Sequence, residues 1–183
     1  AGVVATDTKL EVVYLGGTME LLHNSTLSQV TMKNLKEQNK MKYTEEEKKF
    51  ALRIRETFES KTELSSISRV YDTSGGLGMG STDVGDVSWV VPTVGFRTAC
   101  WVPGTPGHSW QAVACGGTSI GKKGMQLAAK VLATSAWDLY QSPKLIQAAK
   151  AEHQRRLKGR KYQTLLEKGQ KPPLDYRNPP SRK

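Results

Sequence analysis

The run Gly104-Thr105-Pro106-Gly107-His108-Ser109-Trp110 and, upstream of it, Gly80-Ser81-Thr82-Asp83-Val84-Gly85-Asp86 hold the residues best suited to chemistry. The first places an imidazole in a tight Gly/Pro turn between two strand-like runs, Thr93–Val102 and Gln111–Cys115. At the end of a sheet such a ring can meet a metal or a substrate. A catalytic metal takes about three protein ligands, and no nearby His, Cys or Glu completes the set. His108 is therefore either structural or one arm of a site larger than this chain.

Other familiar constellations are missing or incomplete. The loop Ser74–Gly80 is glycine-rich, but Ser81 stands where a phosphate loop needs Lys, and the dinucleotide spacing of glycines also fails. It reads as a flexible loop beside a site. Asp83 and Asp86, three apart, suit a helix cap and its dipole; alternatively one of them orients a metal-bound imidazole. His23, before a cap, and His153, on a charged helix face, read as ordinary. No His-Glu-x-x-His, Cys-x-x-Cys or Gly-x-Ser-x-Gly is present. Thr44-Glu45-Glu46-Glu47 has adjacent carboxylates, but on an exposed, capping-type helix start.

The elements that would position these groups alternate between types. Thr8–Leu15 has strand character and ends at Gly16-Gly17. Ser25 can cap a helix over about residues 26–38, and Thr44 a second one carrying Phe50, Ile54 and Phe58 on one face. Arg69–Asp72 reads as a short strand, and Asp83 can cap a short helix that Pro92 stops. Ser119–Tyr140 is the longest helical pattern, its small residues Gly121, Gly124, Ala128 and Ala129 permitting close packing on a sheet. Another helix starts at Ser142-Pro143 and stops at Gly159, and the remainder is irregular. Helices alternating with strands indicate an α/β layered domain.

At 183 residues the chain is one domain's worth. No apolar run reaches the roughly 20 residues of a membrane span, and the opening Ala1–Ala5 lacks the features of a signal peptide. The start without Met reads as processed, cleaved or truncated. Cys100 and Cys115 read as buried thiols in a reducing, cytoplasmic setting. Residues 142–183 hold 12 Lys/Arg against 3 Asp/Glu, whereas the preceding 141 hold 15 against 14, so the net +10 sits almost wholly in the tail. A solvated terminal helix with a loose end accounts for it; without an aromatic stacking pattern, nucleic acid is disfavoured.

Three blocks together resemble a known family. Gly80–Pro92, Pro103–Gln111 and Ser119–Met125, in that order, are similar to the dinuclear-metal aminoacylase and carboxypeptidase superfamily, in particular its p-aminobenzoyl-glutamate hydrolase type. Ala5–Val13 and Leu21–Asn24 resemble the last strand of that family's α/β lid and the return into its catalytic domain. The resemblance implies the C-terminal half of a three-layer αβα zinc-peptidase-like domain with the last lid strand. Residues 1–24 would be the lid remnant and return, 25–160 the catalytic half and 161–183 a basic, Pro-containing tail. It implies that His108 is a metal ligand, that Ser81, Thr82 and Asp83 lie near substrate, and that Gly104 and Thr105 border the scissile carbonyl or a substrate carboxylate. The family's His-x-Asp metal pair and its Glu-Glu pair, one Glu being the general base, belong to an N-terminal half that this chain lacks, so no catalytic residue is expected here.

The implied chemistry is amide hydrolysis with two divalent ions, zinc or manganese, on p-aminobenzoyl-glutamate or a related N-acyl amino acid. The chain would be inactive alone, would need the N-terminal half or a partner subunit, and would form a homo-oligomer, a dimer through the lid, when complete. The competing expectation is a non-catalytic interaction module whose basic tail binds an acidic partner.

Overall fold

In the computed structural model the described residues are 2–59, 62–73, 76, 78, 80–174 and 177; the Gly-rich loop and the end of the basic tail lie partly outside them. Helices carry the structure: α1 (Gly2–Ala5), α2 (Ser25–Gln38), α3 (Glu45–Arg55), a 3₁₀ turn (Leu64–Ser68), α4 (Val84–Val90), α5 (Trp110–Gly116), α6 (Ser119–Gln141) and α7 (Pro143–Leu157). Among the described residues there is no strand, only an isolated parallel bridge between His23 and Thr93. The expected α/β three-layer fold with a lid strand is therefore corrected to a helical one. The runs Thr8–Leu15, Arg69–Asp72 and Thr93–Val102 are β-rich in composition yet carry no ladder. A strand is defined by its neighbour, and propensity without a pairing edge does not make one.

Gln111–Cys115, expected as a strand, is the body of α5. Ser109 explains why: its hydroxyl accepts from the Ala112 N–H at 3.2 Å, a helix-starting cap. α3 begins as its sequence demands, with a reciprocal capping box in which Thr44 N–H donates to Glu47 and Glu47 N–H donates to the Thr44 hydroxyl. α2 is capped by Asn24 rather than Ser25. Asn24 Oδ1 accepts from Leu27 N–H at 3.0 Å while its amide donates to the Ala149 carbonyl of α7 at 2.9 Å. One fully buried side chain thus starts one helix and ties it to another.

The long helix α6 is the centre of the packing, touching α2, α5 and α7. Its buried Ile120, Leu127 and Val131 join Leu35 of α2, Ala51 and Ile54 of α3, Val102 and Cys115 in one core. Gly124 is required where α6 crosses the extended segment before the His108 turn: a Cβ there would lie 2.6 Å from the Ala99 carbonyl oxygen. The small residues of α6 permit a close approach, but to that backbone and to α5 rather than to a sheet.

Polar contacts brace the helix ends. Glu47 lies buried, correcting the expectation of an exposed carboxylate, and accepts from Ser119 Oγ and Lys123 Nζ at 2.6 Å each. Burial pushes its pKa up, but the bonds from Lys123, Ser119 and the Thr44 backbone outweigh burial and hold it below the usual carboxylate value. Glu152 of α7 accepts from the N–H groups of Ser25 and Thr26 and from Thr26 Oγ1, all at 2.8 Å. Arg156 donates to the same carboxylate. His153 is buried, not on a solvated face, with Nε2 2.9 Å from the Ser88 carbonyl of α4. Because a carbonyl only accepts, Nε2 carries the proton. The Ser88 hydroxyl in turn accepts from Leu22 N–H at 2.8 Å.

Candidate functional site

The His108 turn is built from both sides. Before it, Val102 is buried, and Thr105 closes the chain back on it: its N–H and hydroxyl both donate to the Val102 carbonyl, at 3.0 and 2.7 Å. Gly104 takes φ 91°, a conformation open to glycine at little cost. After it, the Ser109 hydroxyl donates to the Pro106 carbonyl at 2.7 Å while capping α5. Gln111 fixes α5 to the end of α3 by donating to the Thr57 carbonyl at 3.2 Å. Cys115, fully buried beneath the turn, has its sulfur 3.8 Å from Thr105 Oγ1.

Within this frame His108 adopts φ 55°, left-handed and unusual for a residue with a Cβ. Bracing on both flanks holds it there. Its ring is exposed and lines an open cleft of about 610 Å³ with Trp101, Trp110 and Val113, floored by Gly107, Ser109 and Ala112. The imidazole therefore lies on an open, shallow face rather than among packed side chains.

The other expected site residues are placed differently. Gly104 and Thr105 belong to the same turn, but the Thr105 hydroxyl is spent inward on Val102, and neither residue lines the cleft. Ser81, Thr82 and Asp83 are exposed at the approach to α4 and do not line it either. Thr82 Oγ1 accepts from Val84 N–H at 3.3 Å, and the Asp83 side chain makes no capping bond. Trp101 and Trp110, assigned no role from sequence, line the cleft with the histidine. Their signal was their position within nine residues of one another around the histidine.

Among the described residues no group of three or more His, Cys, Asp or Glu is placed to hold a metal ion. These residues do not by themselves fit one; His108 offers a single ligand. No helix of the described residues is long and apolar enough to cross a membrane.

Comparison with known proteins meets the chain at this point. It is similar to a p-aminobenzoyl-glutamate hydrolase subunit of Escherichia coli (strain K12). The two are 43% identical over 107 residues, 58% of this chain and 21% of the relative. The chain thus matches about a fifth of the length of that relative, which by its name is one subunit of a hydrolase. The resemblance to a p-aminobenzoyl-glutamate hydrolase read in the sequence is shown by this identity. No family model matches the chain, and no solved structure matches it.

Proposed function

We propose that this chain is part of a metal-dependent amidohydrolase cleaving the amide bond of p-aminobenzoyl-glutamate or a related N-acyl amino acid, and that it is inactive alone. The observation that carries the reading is the 43% identity to the Escherichia coli hydrolase subunit over 107 residues. An exposed imidazole held at a cleft by a braced, left-handed turn suits it. In this reading His108 contributes one imidazole to a site for zinc or manganese. The remaining ligands and the general base come from a polypeptide segment or partner subunit outside these 183 residues. The turn's task is to point the ring: Thr105 and Ser109 fix the backbone on either side, so little conformational entropy is lost when the site is completed. Ser81, Thr82 and Asp83 would serve as substrate contacts, brought to the site only in the completed enzyme.

The test is release of p-aminobenzoate from p-aminobenzoyl-glutamate with manganese or zinc present. The chain alone gives none; with a polypeptide supplying the missing ligands and base it turns over. Turnover by the chain alone would contradict the reading.

A further inference from the structure

We infer that the cleft beside His108 is a subsite for a flat aromatic ring, held by Trp101 and Trp110. The inference rests on the hydrolase reading for the identity of the ring and on the geometry for the site. Trp110 opens α5 and is 62% exposed; Val113, one turn on, is 78% exposed. Trp101 reaches the other end of the same helix, its Nε1 lying 4.0 Å from where a Cβ on Gly116 would stand. Both indoles line the same cleft as the imidazole, which lies between them in sequence.

The chemistry favours an aromatic ring over a polyhydroxy ligand. Among its lining side chains the only hydroxyl, that of Ser109, is occupied by Pro106 and Ala112. Indoles gain from an aromatic ring by offset or edge-to-face packing beyond simple burial. The hollow, about 610 Å³, is open rather than enclosed, so a ring would lie against an indole with its far face in solvent. The name of the relative supplies the ring: p-aminobenzoyl is a flat, substituted benzene.

The experiment follows the indole N–H signals of the ¹⁵N-labelled full chain during titration with p-aminobenzoate, and separately with cyclohexanecarboxylate, which has the same charge but no aromatic ring. The signals of Trp101 and Trp110 shift saturably, those of Trp89 and Trp137 stay, and the saturated acid binds about fivefold or more weakly. Trp110→Ala weakens binding of p-aminobenzoate by about fivefold or more, Trp110→Phe keeps most of it, and Trp137→Ala leaves it unchanged. The inference is overturned if Trp101 and Trp110 do not respond, if all four indoles respond alike, or if the saturated acid binds equally well. Broadening of both signals with protein concentration, before any ligand is added, would also overturn it by assigning the face to a second copy of the chain. Because nothing here reads turnover, ring binding without hydrolysis in the completed enzyme defeats only the hydrolase reading. Hydrolysis without ring binding defeats only this one.

Discussion

Replacing Glu152 by Ala tests how this fold is held together. Its carboxylate serves two backbone N–H groups at the start of α2, the Thr26 hydroxyl and Arg156. The backbone donors are those a helix start cannot satisfy internally, each worth about 1 kcal/mol. The Arg156 pair joins a 39% exposed side chain to a 9% exposed one and adds about 1 kcal/mol. The sum is a loss of about 3 kcal/mol, or a melting temperature lower by about 6–12 °C. Glu152→Gln, which keeps one acceptor oxygen, loses about half as much. Glu63→Ala is the control, since the pair with Arg69 is exposed on both sides and should matter by less than about 0.5 kcal/mol. The pH dependence adds a second handle. Burial works to raise the Glu152 pKa, but the Ser25 and Thr26 donors and Arg156 outweigh it and set it well below the ordinary 4.5. A carboxylate depressed on folding contributes its full stability above the unfolded value and loses it as pH falls through 4.5 and below. Denaturant melts at pH 6 and pH 3 should show wild type losing more stability on acidification than Glu152→Gln, with Glu47 accounting for part of what remains. A Glu152→Ala midpoint no lower than that of Glu63→Ala would refute the reasoning.

Further outcomes follow from other contacts. His108→Gly relieves the left-handed backbone and raises stability by up to about 1 kcal/mol in a denaturant melt; a loss would show that the turn depends on the ring. Gly124→Ala drives a methyl into the Ala99 carbonyl and Cys100 and costs about 1–3 kcal/mol, measured the same way. Ser88→Ala strips the partner from Leu22 N–H beside the buried His153 contact, costing about 1–2 kcal/mol. Amide exchange of Leu22 should accelerate in that variant.

Legibility varied with how local the cause was. The α3 capping box, the stop of α7 at Lys158 and Gly159, and the small-residue face of α6 are visible in sequence because each is decided within a few residues. The strands were misread because Thr8–Leu15 and Thr93–Val102 have the right residues but no ladder in which to pair. In Gln111–Cys115 a short apolar run fits either period, and the Ser109 cap was the deciding signal. Asn24 and Glu152 were passed over, and His153 was misread as lying on a charged helix face, because their partners lie 125, 127 and 65 positions away in the chain. The Gly/Pro turn around His108 is legible from its own residues; that two indoles line one cleft with the ring follows only once α5 is a helix.

The most direct measurement builds a chimera in which this chain, its His108 turn included, replaces the corresponding part of the Escherichia coli p-aminobenzoyl-glutamate hydrolase subunit, and assays the hydrolase with and without His108→Ala. The account predicts release of p-aminobenzoate by the chimera and a fall of about a hundredfold or more when the imidazole is removed. A chimera that works equally well without His108 would contradict it.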